Sequence, residues 1–374
     1  MPAILSENLD MGAFFMREKL KQFYIVLLVF ILTIMGQYGH DLQSEAVFST
    51  QKETISAKSQ TGKRLTGQKS EEKVYASGIP IGIYIKTEGI LVLGLQQIDG
   101  KNSPASCKIK AGDYILKLNA QNITTKQQFI RLLQKNGEKE VVLTLKRKNK
   151  KIKVKVQPVY SAKNKCYQIG VWIRNDTQGI GTITFIREDG TFAALGHGIN
   201  DGDIGVRFLI ESGSAYRTTI SSILKGKSGM PGEIIGTIDY SPQNYLGEIY
   251  ANTNGGILGK ITENKKEFFT GKKISIAKKS EVKTGKAYLR NSISGKSKDY
   301  SIEIEKVFFH EKNSLKTLKI RVTDPELITL TGGIIQGLSG SPILQNGKLV
   351  GAVTHVLIDN PQMGYGIFAE SMLE

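Results

Sequence analysis

The chain has few cysteines and no cluster of metal-ligating residues. Its 374 residues include only two cysteines, Cys107 and Cys166, and no Cys-x-x-Cys pair. Structural zinc sites take four cysteine or histidine ligands at short spacings, and no segment offers such a set. The sequence therefore predicts no metal and no organic cofactor. The two cysteines fall in different predicted domains, so a disulfide between them is not favoured.

Proline is also scarce, and long amphipathic helical patterns are missing. The chain has nine prolines and 40 glycines. Many short strands joined by glycine turns produce that balance. The length allows two or three domains, and the predicted fold class is mainly β.

Aromatic residues are absent from the most basic part of the chain. The formal net charge is +17, which suits an anionic surface. Lysines and arginines concentrate in residues 145–156, yet no aromatic residue occurs between Phe129 and Tyr160. Surfaces that bind nucleic acid interleave aromatic rings for base stacking. The pattern indicates the solvated face of a β-hairpin and predicts no nucleic-acid partner. Docking on anionic lipid or wall polymer is an alternative that rests on charge alone.

A long uncharged stretch with an apolar run from Phe23 to Met35 lies near the N-terminus, at residues 22–39. Arg17, Lys19 and Lys21 precede it, and Asp41 and Glu45 follow it. That charge order places the N-terminus in the cytoplasm and the bulk of the chain outside it. We therefore predict a cytoplasmic segment (1–21), a membrane anchor helix or signal-anchor (22–39) and a flexible linker (40–76). A cleaved signal peptide is the alternative.

Residues 77–160 have strand-like runs around one helical stretch, "TKQQFIRLLQK". The run Lys110-x-Gly112-Asp113-x-Ile115, a turn leading into an apolar strand, resembles the bacterial PDZ domain. Cys107 stands where such domains commonly have glycine. The resemblance implies an α+β domain.

PDZ domains bind an extended peptide by adding it to a sheet edge. The sequence places that edge near Ile79, Ile81 and Ile83. The alternative is a PDZ scaffold that only packs on the next domain.

Residues 161–374 consist almost wholly of short strand-like runs separated by turn residues. Regular spacing of this kind predicts a β-barrel or sandwich. The segment is long enough for two packed barrels.

Two serines in "GLSGSP", Ser339 and Ser341, are candidate nucleophiles. Gly337 permits a strained turn that aims the amides of Gly337 and Ser339 at one point, which would form an oxyanion hole. Gly340 would leave room for substrate. A plain glycine turn without chemistry is the alternative.

A serine nucleophile needs a base, most often histidine. The chain has four histidines. His40 lies in the linker, His310 suits a surface strand end, and His355 suits a packed or edge position on an alternating strand. His197 follows an apolar strand and lies between Gly196 and Gly198 in "ALGHGIND", where the turn leaves a ring accessible.

Several segments resemble the SpoIVB peptidase family of endospore-forming bacteria: "ALGHGIND", "RVTDPELI", "TGGIIQGLSGSPILQNGKLVGAVTHV" and "GYGIF". The resemblance implies a chymotrypsin-like double β-barrel in which Ser339 is the nucleophile and His197 is the base. Ser341 would then be only a small residue after the nucleophile.

A third group should orient the imidazole, and the sequence offers five carboxylates: Asp201, Asp203, Asp239, Asp299 and Asp324. Asp324 matches the family's acidic position, although a turn-forming role before Pro325 is the alternative.

The same resemblance implies an exported, membrane-tethered serine endopeptidase that works between the two membranes around the forespore. It would cleave a membrane-bound regulator of an intramembrane protease, release processing of the sigma-K precursor, and cleave itself. Its partners would be that protein substrate, the membrane and a peptide ligand of the PDZ domain. The rival hypothesis is a catalytically silent PDZ adaptor that binds a membrane partner without cutting it.

Overall fold

The computed structural model describes residues 72–262, 268–269, 271–309 and 315–373. The predicted anchor (22–39) and the histidines His40 and His310 lie outside these ranges. No helix in the described ranges is both long enough and apolar enough to cross a bilayer.

Most of the first elements form a small α+β module, whereas the first strand pairs with strands that come later in the chain. In chain order the first elements are β1 (Lys73–Ala76), β2 (Pro80–Leu95), β3 (Tyr114–Leu118), β4 (Gln121–Asn122), α1 (Lys126–Asn136), β5 (Val141–Arg147), β6 (Lys150–Val156), β7 (Val159–Ser161) and β8 (Cys166–Gln168). Helix α1 begins where the Thr125 hydroxyl accepts a hydrogen bond from the amide of Gln128, and it buries Phe129 and Leu133. The predicted helix is therefore confirmed.

The basic segment forms the hairpin β5–β6. Lys151, Lys153 and Lys155 are exposed, while Ile152 and Val154 pack against the module's core. The period-2 alternation of a half-buried strand explains this division, and the predicted solvated hairpin face is confirmed.

A first barrel follows. Its new strands are β9 (Val171–Ile186), β10 (Thr191–Ala194), β11 (Ile210–Leu224), β12 (Glu233–Ile238), β13 (Tyr245–Thr253), β14 (Gly256–Ile261) and β15 (Ile274–Ser275). Pairing runs β9–β10–β14–β13–β11–β2 and returns to β9, so six strands close a ring. Ile81, Ile85, Phe192 and Ile249 lie in its core.

The second barrel is also six-stranded and closed, in the order β16–β17–β18–β21–β20–β19. Its elements are β16 (Gly285–Asn291), β17 (Lys298–Val307), β18 (Leu318–Val322), α2 (Pro325–Thr331), β19 (Pro342–Gln345), β20 (Lys348–Leu357) and β21 (Asn360–Phe368). Short 3₁₀ turns occur at Pro242–Asn244, Lys279–Glu281 and Ala369–Met372. The mainly β fold with two barrels agrees with the prediction.

The predicted boundary between the PDZ domain (77–160) and the peptidase domain (161–374) differs from the structure. The first half of β2, from Pro80 to Lys86, is a strand of the first barrel and pairs with β9 and β11. The second half of β2 pairs with β3. Val171 and Ile173, at the start of β9, pack against the PDZ core. Two long strands are thus shared, and the cores meet along them.

This sharing predicts that residues 161–374 do not fold alone. They lack β2, which buries Ile81, Ile83 and Ile85 in the first barrel. Burying one such side chain stabilises by roughly 1.5–3 kcal/mol, so three of them are comparable with a net stability of about 5–15 kcal/mol. Circular dichroism during heating should show no cooperative transition for this fragment. Residues 72–374 serve as the control and should unfold cooperatively; a cooperative transition in the shorter fragment would contradict the shared-strand interpretation.

Candidate active site

A pocket of about 300 Å³ opens between the barrels and contains the predicted base and nucleophile. His197 and Leu195 come from the loop after β10, and Gly337 and Ser339 come from the loop before β19. Residues 177–180 of β9 form another wall. The structure therefore brings Ser339 and His197 to one place, although 142 positions separate them.

The His197 loop depends on the two glycines beside it. Leu195 and Gly196 have φ of 71° and 69°, in the left-handed region. A Cβ on Gly198 would lie 2.6 Å from the carbonyl oxygen of Thr253. Asn252 holds the loop from outside, because its amide group binds both the N–H and the carbonyl of Ile199 at 2.8 Å.

The serine loop is held by hydrogen bonds from β9. The Thr182 amide donates to the Ser339 carbonyl (3.0 Å), and the Thr182 hydroxyl donates to the Gly337 carbonyl (2.8 Å). The Thr184 hydroxyl donates to the Gly340 carbonyl (2.7 Å). Three carbonyl groups of the loop thus point at the first barrel.

The predicted oxyanion donors have no competing partner. Gly337 has φ of 97°, and in the described chain neither its amide nor that of Ser339 donates to a protein acceptor. Unpaired N–H groups beside a serine hydroxyl are what a developing oxyanion requires.

Gly340 differs from its predicted role of leaving room for substrate. A Cβ there would lie 2.1 Å from the Thr182 carbonyl oxygen and 2.5 Å from the Leu195 amide nitrogen. Its φ is 95°. Gly340 therefore allows the serine loop to touch the first barrel.

Ser341 is a structural residue. It is fully buried, its hydroxyl donates to the Leu338 carbonyl (2.6 Å), and the Asn291 side-chain amide donates to it (2.8 Å). Ser339 is only half-buried and lines the pocket. In the free protein its hydroxyl donates to the carbonyl of Thr354 at 2.9 Å.

His355 lies in the site, where the sequence analysis had placed only a packed or edge residue. Its ring centroid is 5.5 Å from that of His197, and its Nδ1 is buried with no hydrogen-bond partner among the residues that the structure describes. Strand β20 returns from the β19–β20 hairpin beside the serine loop and carries Thr354 and His355 there. The Asn346-Gly347 pair predicts this hairpin, and it was the sequence signal that could have placed His355 near the serine loop.

Burial makes the imidazole rings of His197 and His355 poor proton acceptors. It lowers the pKa of His197, an effect partly offset by the hydrogen bond between Nδ1 and the Gly198 carbonyl (3.0 Å). Burial and then the neighbouring His197 lower the pKa of His355 to about 4. Both imidazoles are therefore neutral near pH 7.

Four of the five candidate carboxylates are engaged elsewhere. Asp201 and Asp203 pair with Arg174, Asp299 forms a two-pronged pair with Arg290, and Asp239 accepts the amide of Ser241.

Asp324 is a correction to the predicted triad. It precedes α2 as its N-cap, and its carboxylate accepts the amides of Glu326 (3.0 Å), Leu327 (3.2 Å) and Ser301 (3.1 Å). Burial and the hydrogen bond to Gly198 shift the pKa of His197, and no carboxylate within the described ranges takes part. The Asp-Pro pair is a helix start, since aspartate suits the N-cap and proline the first helical position.

The predicted peptide-binding edge at Ile79, Ile81 and Ile83 is also corrected. Ile81 and Ile83 are buried, and their strand is paired on both sides by β9 and β11. A groove of about 390 Å³ lies instead between α1 and residues 166–173. There Val171 to Ile173 pair with β2 on one side only. Sequence reasoning missed this edge because a segment distant in the chain supplies it.

Comparison with protein families matches both parts of the chain. The SpoIVB peptidase S55 family matches residues 165–373, more than half of the chain. The chain belongs to the SpoIVB peptidase S55 family. It is a serine endopeptidase, and a PDZ domain family matches residues 100–147.

Three solved structures illustrate the likeness of this S55 peptidase to other proteins. The PDZ domain of an SdrC-like protein from Listeria monocytogenes is 19% identical over 24% of this chain and 90% of its own, with a TM-score of 0.21. The active form of the Rv3671c protease from M. tuberculosis is 13% identical over 54% and 72%, with a TM-score of 0.31. The HtrA-type protease AlgW with a decapeptide is 8% identical over 80% and 63%, with a TM-score of 0.32. No curated protein sequence matches the chain.

The N-cap position of Asp324 predicts an effect on stability in place of catalysis. Asp324→Ala should lower the free energy of unfolding by about 1 kcal/mol, and Asp324→Asn, which still caps, should restore most of it. With either variant folded, kcat of the S55 peptidase should change less than about threefold, whereas losing a triad aspartate costs roughly 10⁴-fold. Denaturant unfolding and peptide hydrolysis measure the two effects.

The pH dependence of kcat/KM distinguishes a helix-capping role of Asp324 from a role in the catalytic triad. The base must be neutral, so kcat/KM falls as pH drops through the pKa of His197, which burial places below the ordinary value of about 6.5. The acid limb should therefore lie below about pH 6.5 and stay unmoved in Asp324→Asn. A limb that shifts to lower pH in Asp324→Asn would restore Asp324 to the triad.

Proposed function

We propose that this peptidase cleaves peptide bonds with Ser339 as nucleophile and His197 as general base. One observation carries the assignment: a single pocket holds the Ser339 hydroxyl, the His197 ring and two unpaired loop amides. The Nδ1–H of His197 donates to the Gly198 carbonyl, so Nε2 keeps its lone pair for the serine proton.

The reaction then follows from these groups. The Ser339 hydroxyl rotates away from the Thr354 carbonyl, gives its proton to Nε2 of His197 and attacks the scissile carbonyl carbon. The amides of Gly337 and Ser339 donate to the oxyanion. His197 returns the proton to the leaving amine as the C–N bond breaks, which leaves an acyl ester on Ser339. His197 then takes a proton from a water molecule, whose oxygen attacks the ester carbon. The bond between that carbon and the Ser339 oxygen breaks, and His197 returns the proton to this oxygen.

In this mechanism the Gly198 carbonyl does the orienting that a carboxylate does in a triad. A carbonyl dipole stabilises the imidazolium less than a carboxylate charge would. The neutral ring of His355 lies beside His197 and brings no second positive charge to the site.

The cellular role that we propose rests on family membership and on the N-terminal sequence. Residues 22–39 would anchor the enzyme, with 1–21 in the cytoplasm and the peptidase in the space between the forespore membranes. Its substrate would be a membrane-bound regulator of an intramembrane protease, and cutting it would release processing of the sigma-K precursor. Self-cleavage and a peptide ligand in the groove beside α1 complete the proposal.

The nucleophile can be tested by labelling the full-length protein with a fluorophosphonate probe and locating the adduct by mass spectrometry. We expect an adduct on Ser339 that Ser339→Ala abolishes. Ser341→Ala, checked for folding by circular dichroism, should still be labelled, because Ser341 is buried. Labelling at Ser341, or none in the folded wild type, would overturn the assignment.

The pathway is tested separately in the sporulating cell. A strain that carries Ser339→Ala should accumulate unprocessed sigma-K precursor, visible as the larger band on an immunoblot. A strain with wild-type protein at equal abundance is the control. Normal processing by Ser339→Ala protein would refute the pathway while leaving the labelling result intact.

A further inference from the structure

Four tyrosines form a connected aromatic surface on the outside of the first barrel. This tyrosine patch consists of Tyr84 on β2, Tyr216 on β11, Tyr240 between β12 and β13, and Tyr245 at the start of β13. Ring centroids lie 5.6 Å apart for Tyr84–Tyr240, 5.1 Å for Tyr216–Tyr240 and 5.7 Å for Tyr216–Tyr245, all edge to face. The contacts hold the rings in fixed orientations before any partner arrives.

The patch faces solvent and not the barrel core. Ile83 and Ile85, on either side of Tyr84, are buried, so the alternation of the strand turns Tyr84 outward. Tyr240 is 45% exposed. Tyr84, Tyr216 and Tyr245 are half-buried. A set of tyrosines packed in this way gives contact area at low entropic cost, and tyrosine is enriched where proteins bind other chains.

The patch is continuous with the catalytic pocket. The Tyr240 hydroxyl is hydrogen-bonded to Oε1 of Gln178, and Gln178 is the cross-strand partner of Tyr84. Gln178 also lines the pocket that contains His197 and Ser339. One side chain therefore joins the two surfaces along β9.

The position of His197 decides which half of a substrate reaches the patch. His197 must give its proton to the leaving amine, so the leaving half passes on the His197 side of the pocket. Residues 178–180 of β9 line the same pocket, and β9 belongs to the same barrel as His197. The acyl half remains at Ser339 and the Thr354 carbonyl, which belong to the second barrel.

We propose that the tyrosine patch binds the substrate segment that follows the scissile bond, and that it selects an extended, uncharged segment containing proline and aliphatic residues. Tyrosine faces pack against proline and aliphatic side chains, as in aromatic grooves that recognise extended proline-rich peptides. Two carboxylates lie near the patch. Asp176 already accepts from Tyr84 and Asn175 and lies opposite Lys86. Glu248, which after burial raises the pKa of Tyr245, lies opposite Lys260. The proposal rests on cleavage at Ser339 and concerns specificity beyond it.

The test uses the full-length enzyme and three internally quenched peptides with one common sequence up to the scissile bond, chosen from a random library by wild-type cleavage. The first ends two residues after that bond. The second continues with Pro-Leu-Pro-Ala and the third with Gly-Ser-Gly-Ser. We expect kcat/KM of the wild type to be about tenfold higher on the Pro-Leu-Pro-Ala peptide than on the other two.

Tyr240→Ala should abolish that preference and leave cleavage of the short peptide unchanged, because the ring lies outside the pocket. Tyr240→Phe keeps the ring contacts and should retain most of the preference. Tyr250→Ala is the matched control, since Tyr250 is 51% exposed on β13 and its ring makes none of the patch contacts.

Equal rates on all three peptides in the wild type would overturn the proposal. Three results for Tyr240→Ala would also overturn it: an unchanged preference for the Pro-Leu-Pro-Ala peptide, an equal loss of cleavage of the short peptide, or a higher activity. The last result would mean that another segment of the chain covers the patch. Fluorophosphonate labelling of each variant reports the chemistry at Ser339 independently, so failure of the nucleophile assignment is told apart from failure of the patch.

Discussion

The hydrogen bonds that join β9 to the serine loop are the constraint on which the active site depends. Thr182 and Thr184 together satisfy the carbonyls of Gly337, Ser339 and Gly340. Nucleophile and base come from different barrels, so their separation depends on how those barrels dock. Because three carbonyl groups of the serine loop point toward β9, the amide groups of the loop face the opposite side. Docking of the barrels and formation of the oxyanion site are therefore one structural event.

Strand β9 has several roles along its length. Its start forms the open edge of the groove beside α1, its middle lines the catalytic pocket, and its end binds the serine loop. Successive parts of one strand cannot shift independently while both neighbours stay paired, because sliding a strand by one residue turns every side chain to the opposite face. A chain seated in the PDZ groove would add to the strand that aligns the nucleophile loop, which gives a direct physical route between the two sites.

Local signals predicted most of the fold, and they singled out Ser339 and His197, which the structure places in one pocket. The glycines around His197 and Ser339 marked backbone turns, and the structure places positive φ or close approach at Gly196, Gly198, Gly337 and Gly340. The alternation of β6 correctly gave the exposed lysines. Strand partners were not readable in the same way, because a period of two tells which face is buried and not which strand lies alongside. For this reason the sequence predicts the peptide-binding edge at Ile79, Ile81 and Ile83, on a strand that β9 and β11 enclose.

The prediction of Asp324 as a triad member failed for the same reason, because a local pattern does not give the neighbours of a side chain. Asp324 carries a pattern that fits a triad member and a helix start equally well, and only the barrel geometry decides that it caps α2. For His355 the hairpin at Asn346-Gly347 was the only local signal, since the alternation of a strand does not show which of its residues will face Ser339, 16 positions earlier. With a carbonyl and not a charge behind its ring, His197 has a depressed pKa, so it is neutral over a wider range of pH but is a weaker base. A site built this way leaves more of the barrier to the oxyanion donors and to substrate positioning. Extended contacts outside the pocket, such as those of the tyrosine patch, then carry a larger share of the rate than they would beside a charged triad.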